Sequence, residues 1–230
     1  HAMSSDPAKR YKSVRTMIGE IDDWLEGRPQ WGNPIQVSAG PGDLEAIPPQ
    51  AESGWQVDGG EIQSVDYAGE GQAYLLFRLA EPGHLRWSCR FYIEGDETAN
   101  DIRSECAVVL SAMTPEPWRG VLDAYVSRLG ADRNTRVVIS KNDVEVAAND
   151  YVVIEPWRRY SLSIERVDRE IRVMLDRQTI LLYKEGNPLP GLQTGWLHRG
   201  PGVHASGFRF QFRGVPAKVS MLEIPEALMA

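Results

Sequence analysis

The chain has 230 residues, 42% of them hydrophobic and 25% charged, a composition typical of globular proteins that excludes disordered and fibrous ones. The balance of 25 Lys and Arg against 32 Asp and Glu gives a net charge of −7. Because a surface of that sign repels phosphate backbones, we expect no nucleic-acid partner. The 21 Gly and 15 Pro follow no fixed period, which excludes collagen and predicts many short turns.

The sequence has no run of about 18 apolar residues, which a membrane-spanning helix would need, and no apolar run of signal-peptide length near its start. We therefore expect a cytoplasmic protein without a membrane partner, unless a signal has been removed. The two cysteines, Cys89 and Cys106, lie in neighbouring strand-like segments. They either face each other across a hairpin, which permits a disulfide, or are two buried free thiols, which a reducing compartment favours.

The first predicted element is an amphipathic helix, with Asp6 as its cap and Gly27 at its end. Its apolar stripe recurs at the helical period, through Tyr11, Val14, Ile18, Ile21 and Leu25. Such a stripe needs a surface, so we expect it to pack on the main domain or against a second copy in a homodimer. Residues 28–53 are rich in Pro and Gly and predict an irregular, surface-packed segment, which closes an N-terminal region of residues 1–53.

From residue 54 to residue 230 the chain predicts about a dozen short strands joined by turns, without intervening helices. Residues 54–63 contain Asp-Gly between two short alternating runs, which is a hairpin signal. Leu85–Ile93 alternates apolar and polar residues, and residues 160–183 predict a three-stranded meander. This pattern favours an all-β domain, an antiparallel sandwich or barrel.

Several segments carry a resemblance to a known fold: Trp157, the "I.V.LD…ILLY" pattern of residues 171–183, TGWLHRG at 194–200 and GFRFQF at 207–212. They resemble the closing half of concanavalin A-like jelly rolls and, more narrowly, the 3-keto-disaccharide hydrolase-like domain family. Residues 54–62 are similar to the first hairpin of that family, and the resemblance covers roughly residues 54–223. It implies a β-sandwich jelly roll behind one N-terminal helix. Two departures are Asp176-Arg177 in place of Asn-Gly or Asp-Gly, and Phe210-Gln211 in place of Asn-Ile.

The resemblance also implies that sugars lie across a concave sheet, where polar residues alternate with core residues on the strands. Asp123 is the first candidate for an acid/base, the alternative being a surface carboxylate paired with an arginine. His198 and His204 flank a loop rich in Gly and Pro and are the other candidate catalytic residues. The candidate substrate-binding residues are Arg86, Arg90, Tyr92, Trp118, Arg119, Tyr125 and Arg199.

Among the seven tryptophans, Trp118 is the preferred stacking platform, with Trp31 and Trp196 as further candidates. Trp55 and Trp157 are predicted packing anchors, and Trp87 is predicted to point into the sandwich. The polar side of the last phenylalanine-rich strand, with Arg209 and Gln211, is either the floor of the cleft or a solvated outer face.

No zinc motif occurs, and the paired glutamates of retaining glucanases are absent from the sequence. The oxygen-rich run with Asp96, Asn100 and Asp101 is a weak candidate for Ca²⁺, since its spacing differs from the helix-loop-helix calcium pattern. The leading hypothesis is a protein that processes glycosides of a modified or keto-sugar. The alternatives are a lectin-like module that binds a carbohydrate without catalysis, and an interaction protein that dimerises through its helix.

Overall fold

The computed structural model describes residues 14–25, 31–32, 34–36, 55–58, 61–64, 72–79, 84–95, 104–113, 124–213 and 219–221. Within these ranges, fifteen strands form two antiparallel sheets. Two helices accompany them, α1 (Val14–Leu25) and α2 (Ala131–Asn134). The expectation of an antiparallel all-β sandwich is thereby confirmed.

The first sheet has eight strands and carries the candidate site. Its order is β12 (Gln178–Lys184), β11 (Glu170–Leu175), β10 (Tyr160–Val167), β5 (His84–Ile93), β14 (Val203–Arg213), β3 (Glu61–Ser64) and β2 (Trp55–Asp58), while β1 (Ile35–Gln36) also pairs with β14. The predicted hairpin is β2–β3, and the predicted meander is β10–β11–β12.

The second sheet has seven strands. Its order is β15 (Val219–Met221), β4 (Gln72–Leu79), β13 (Gln193–Arg199), β6 (Glu105–Ala112), β7 (Tyr125–Gly130), β8 (Arg136–Lys141) and β9 (Val144–Asn149).

The core lies between the sheets and follows from the period-2 alternation of β5. Trp87, on β5, stacks on Trp196, on β13 of the other sheet, with ring centroids 5.7 Å apart and planes at 12°. Both indoles are fully buried, and such burial contributes roughly 2–3 kcal/mol for each large side chain. The interpretation of Trp196 as a sugar platform is therefore wrong, because its ring is part of the core.

A β-bulge in β14 keeps its phenylalanines in the core. The pairing of β14 with β5 shifts between Ser206 and Arg209, and Gly207 there has a φ of +65°, which glycine adopts without strain. The shift resets the alternation, so that Phe208 and the two phenylalanines after it face the core. Arg209 and Gln211 consequently share the outer face with Arg86, whose guanidinium donates to the Gln211 amide oxygen at 3.4 Å.

Helix α1 exposes its apolar stripe. Val14, Ile18, Ile21 and Leu25 are between 46% and 68% exposed, so the stripe is not covered by the rest of the described chain. Pairing of this stripe with a second copy stays a prediction. No helix in the described ranges is both long and apolar enough to cross a membrane.

Cys89 and Cys106 are free thiols, and both are buried between the sheets. Burial raises the pKa of each thiol well above its usual value, and the charge of Cys106 adds to the effect on Cys89. We expect neither thiol to react with iodoacetamide at pH 8 in the native protein, and both to react in 6 M guanidinium chloride. Mass spectrometry of the intact chain measures this, and rapid single alkylation of the folded protein would contradict it.

Candidate functional site

Polar side chains form ordered rows across the outer face of the eight-stranded sheet. The registers of β10, β5 and β14 place Ser163, Ser88 and Arg209 in one row and Ser161, Arg90 and Ser206 in the next. Apart from Gly207 in the bulge, their neighbours along each strand belong to the core, so these six side chains point outward. We call them the serine–arginine strip.

An aromatic cluster lies at one end of this strip and consists of Tyr92, Trp157, His204 and Arg159. The imidazole of His204 stacks on the Tyr92 ring with centroids 4.1 Å apart and planes at 9°. The Arg159 guanidinium lies over the Tyr92 ring at 4.8 Å, and the Trp157 ring lies 6.2 Å from the Tyr92 ring at 28°. The four side chains therefore form a continuous aromatic and cationic surface.

Two carboxylates hold His204 in place. Its Nδ1 lies 3.1 Å from Glu61 Oε1 and its Nε2 lies 2.8 Å from Glu94 Oε1. Since a neutral imidazole has a single N–H, only the imidazolium donates to both carboxylates at once. Arg159 also lies 3.5 Å from Glu61, so the buried imidazole joins groups from three separate parts of the sequence.

The hydroxyl of Tyr92 remains a hydrogen-bond donor in this cluster. Partial burial, then the charge of Glu61 and a hydrogen bond to that carboxylate, raise the pKa of the Tyr92 hydroxyl. Arg159 acts in the opposite direction but does not outweigh these effects. The ring is thus oriented by Glu61 at its hydroxyl and by His204 at its face.

Trp157 is the exposed aromatic ring of the cluster and adopts an unusual backbone conformation. Its φ is +63°, in the left-handed region that costs a bulky residue roughly 1–3 kcal/mol. Its backbone N–H donates to the Ile93 carbonyl at 2.8 Å, and its indole N–H donates to the Gly95 carbonyl at 2.9 Å. The side chain is nevertheless 49% exposed, so the prediction of a packing anchor is wrong.

The depression beside the cluster is too narrow to hold even a water molecule. It is lined by residues of the cluster together with Arg90 and Ser206. Sites that enclose small ligands have volumes of roughly 300 Å³ or more. A ligand here would rest on the surface, where Trp157 offers a ring face, the arginines offer donors and the two glutamates offer acceptors.

Four of the predicted site residues lie together on this face. Arg90, Tyr92 and His204 belong to the strip and the cluster, while Arg86 lies farther along β5. Arg86 is committed to other contacts, because it pairs with the Glu165 carboxylate at 2.5 Å and lies 4.4 Å from the centre of the Trp31 ring. Trp31 is thereby held between arginines at the opposite end of the face.

Tyr125 lies in the interior of the sandwich, so the expectation that it points outward is wrong. Its hydroxyl donates to Glu185 Oε2 at 2.9 Å and accepts from the Leu189 N–H at 3.1 Å. Glu185 also accepts from the Asn187 N–H at 2.9 Å and pairs with Lys141 at 3.0 Å. These contacts make Tyr125 part of a structural hydrogen-bond network.

His198 and Arg199 belong to the other sheet. His198 is 3% exposed, with Nδ1 3.0 Å from the Gly200 carbonyl oxygen, and Arg199 pairs with Glu105 at 3.0 Å. Arg199 and Glu105 line a depression of about 110 Å³ whose lining includes no aromatic side chain. The structure therefore does not bring His198 or Arg199 to the aromatic cluster. The two arginines of this depression, Arg128 and Arg199, both lie beside Glu105.

Some predictions fall on residues outside the described ranges. These are the candidate base Asp123, the candidate platform Trp118 with Arg119, and the candidate calcium ligands Asp96, Asn100 and Asp101. In the described part of the chain, no group of three or more His, Cys, Asp or Glu side chains is arranged to hold a metal ion.

Four members of the site were not predicted from the sequence: Trp157, Arg159, Glu61 and Glu94. Trp157-Arg158-Arg159 just before a strand is a readable signal, because an aromatic residue beside arginines in a loop is typical of binding surfaces. Glu61 and Glu94 give no such signal, since their contacts with His204 span 143 and 110 positions of sequence.

Comparisons with known proteins give a fold and one distant sequence relative. No family model matches the chain. The serine/threonine-protein kinase PknD of Protochlamydia amoebophila (strain UWE25) is 21% identical over 235 residues, which cover 99% of this chain and 22% of the kinase. This chain thus spans about a fifth of the length of that curated relative.

Among solved structures, a native glycosidic hydrolase has a TM-score of 0.51 at 13% identity, over 80% of this chain and 98% of the hydrolase. The carbohydrate-binding module CBM66 from Bacillus subtilis has a TM-score of 0.49 at 12% identity, over 78% of this chain and 95% of the module. The chain accordingly shares the two-sheet β-sandwich fold of that hydrolase structure.

Proposed function

We propose that this protein is a lectin-like module that binds a carbohydrate on the outer face of its eight-stranded sheet. The observation that carries the proposal is Trp157, a half-exposed indole fixed in a strained conformation by two hydrogen bonds. A rigid aromatic face loses little conformational entropy when an apolar sugar face stacks on it. Arg159, Glu61 and Glu94 lie beside it with the donors and acceptors that sugar hydroxyls need.

The narrowness of the depression favours binding over catalysis. Because it has no room for a ligand, a bound sugar would lie on the surface in contact with water, whereas catalytic sites exclude water from the reacting atoms. The two carboxylates of the cluster are both engaged with His204, so neither is held ready for a glycosidic oxygen. The neighbouring structures include a carbohydrate-binding module and a glycosidic hydrolase, which is consistent with a sugar ligand.

The second candidate function is the processing of a keto-sugar glycoside, which the resemblance of the sequence implied. Asp123 or a histidine would be its acid/base, with Arg90 and Arg119 holding the substrate. Turnover of a 3-keto-glycoside that Asp123→Asn abolishes, without a change in melting temperature, would favour this enzyme over the binding module.

The similarity to part of a kinase supports a role within signalling. The chain has no glycine-rich phosphate loop, so phosphoryl transfer is not the activity we propose for it. A module that binds a sugar beside a kinase would act as the ligand-sensing part of such a protein. Measuring autophosphorylation of a full-length kinase that contains this module, with and without the bound sugar, tests that role.

Replacement of Trp157 by alanine is expected to weaken carbohydrate binding about 30-fold, because the central aromatic of a binding surface contributes roughly 2 kcal/mol. The melting temperature should change little, since half of the indole is already in water. A glycan array identifies the strongest ligand of the unaltered protein, and titration calorimetry with that ligand compares the variants.

The matched control is Tyr151→Ala, which removes an aromatic ring that is 95% exposed in the turn after β9. We expect unchanged affinity for this control. Equal affinities of the Trp157 variant and the unaltered protein would refute the proposed platform.

A further inference from the structure

The serine–arginine strip contains two arginines without acidic partners. Arg90 and Arg209 are exposed, and neither forms an ion pair within the part of the chain that the structure describes. The other arginines of this face behave differently: Arg86 and Arg172 lie beside Glu165, and Arg159 lies beside Glu61. The pairing is therefore selective, and it leaves the centre of the face positive.

The rows of the sheet bring these two cations close together. Arg90 is opposite Ser206 and Arg209 is opposite Ser88, so the arginines are diagonal neighbours on adjacent strands, roughly 7 Å apart at their backbones. Like charges at this separation repel each other. Glu61 lies opposite Ser206 at one end of a row, but its carboxylate is engaged with His204 and Arg159. Asp176 lies beside Ser161 at the other end, and it pairs with Arg158. The two arginines therefore form a local positive patch on a chain whose net charge is −7.

Serine hydroxyls surround the two guanidinium groups. On β10, β5 and β14, the other positions of the two rows are occupied by Ser161, Ser163, Ser88 and Ser206. Small hydroxyl side chains leave room above the sheet and offer both donors and acceptors to a ligand. A guanidinium binds a carboxylate or a sulfate with two parallel hydrogen bonds, which a neutral sugar does not supply.

The strip is continuous with the aromatic cluster. Tyr92 is two residues from Arg90 on β5, and Arg90 and Ser206 line the same depression as Tyr92 and His204. From Tyr92 to Arg86 the face extends for about 20 Å, at roughly 3.3 Å for each residue of an extended strand. A sugar stacked on Trp157 would therefore direct the rest of its chain over Arg90 and Arg209.

The geometry points to an acidic polysaccharide, one that carries carboxylates or sulfates, as the ligand of this face. This inference rests on the proposed carbohydrate-binding function and names its ligand class. Trp157 binds the ring of one sugar unit, and Arg90 and Arg209 bind the anionic groups of the following units.

The test uses two matched pairs of polymers: polygalacturonate with its carboxyl-reduced form, and dextran sulfate with dextran. Titration calorimetry at 50 mM and 300 mM NaCl compares the unaltered protein with Arg90→Gln, Arg209→Gln and the double variant. We expect each single substitution to weaken binding of the acidic polymers about fivefold and the double substitution about 25-fold, with a smaller salt dependence.

The control variant is Arg169→Gln, which removes an equally exposed arginine from the β10–β11 turn and should leave every affinity unchanged. If the acidic and neutral polymers bound equally well, and if Trp157→Ala but not the arginine variants lost this binding, the acidic ligand class would be overturned. The proposed carbohydrate-binding function would then still be supported. If the arginine variants lost binding of the acidic polymers and Trp157→Ala kept it, the serine–arginine strip would be supported as an anion-binding surface and the aromatic platform would be overturned. Binding of none of the four polymers overturns the acidic ligand class.

Discussion

Replacement of Gly191 by alanine is expected to destabilise the fold by about 3 kcal/mol, because there is no space for a side chain at this position. A Cβ at Gly191 would lie 2.1 Å from the carbonyl oxygen of Ser111 and 2.4 Å from the carbonyl carbon of Ala112. Both are backbone atoms of the paired second sheet, so neither can move without disturbing the pairing of β6 with β13. The position is thus a close approach of two backbones that only glycine permits.

Thermal unfolding measures this effect, and the expected fall in melting temperature is roughly 6–12 °C for a chain of this size. The control is Gly186→Ala, since a Cβ there meets nothing within 4 Å and Gly186 is not in the left-handed region. We expect the control to change stability by less than about 0.5 kcal/mol. Equal melting temperatures of the two variants would contradict the close approach of the backbones at Gly191.

Strand alternation made much of the fold predictable from the sequence. On β5, every second residue from Leu85 to Ile93 is buried, as the period-2 pattern requires. The strands of the meander follow one another with very short turns, so local signals were enough to find them.

The same reasoning failed at Tyr125 because both faces of its sheet bury apolar side chains. Tyr125 belongs to the main core, whereas its neighbours Ala124 and Val126 belong to a second buried cluster on the opposite face. Alternation on such a strand does not reveal which face lies between the sheets. Because Tyr125 has a polar hydroxyl, its side chain was predicted to point outward. The hydroxyl instead donates a hydrogen bond to a buried carboxylate.

The candidate site was predictable only where it lies on a regular strand. Arg90 and Tyr92 were found because they alternate with core residues, and His204 was found because it adjoins a glycine-rich loop. Trp157 was misassigned since its exposure depends on a positive φ, which the sequence of a non-glycine residue does not indicate. Glu61 and Glu94 reach His204 through strand pairing between distant segments, which a single sequence does not reveal.

The Glu185→Gln variant is expected to lose roughly 3 kcal/mol of stability at pH 7, because it removes the charge at the centre of a buried network. The carboxylate is 8% exposed and accepts hydrogen bonds from Tyr125, Tyr183, Lys141 and the Asn187 N–H. An amide in its place would present two donors to groups that are themselves donors. Lys141 would also remain without its partner carboxylate.

The pH dependence of this effect follows from the pKa of Glu185. Burial alone would raise that pKa, but the hydrogen bonds from Asn187, Lys141 and the two tyrosines outweigh it and lower the pKa to about 2. A carboxyl with a pKa lower in the folded than in the unfolded state stabilises the fold fully above the unfolded value, near 4.3. Its contribution is lost as the pH falls from there towards 2, so the difference between the variant and the unaltered protein should shrink over this range.

Urea unfolding at pH 7, 4 and 2.5 measures the difference in the free energy of unfolding between Glu185→Gln and the unaltered protein. The matched control is Glu155→Gln, since that carboxylate is 61% exposed and its pair with Arg158 at 2.6 Å is worth less than about 1 kcal/mol. The control should differ little from the unaltered protein at pH 7. If the stability difference between Glu185→Gln and the unaltered protein stayed constant down to pH 2.5, the loss would come from packing and not from the carboxylate charge. Only the charged form of Glu185 accepts all four hydrogen bonds.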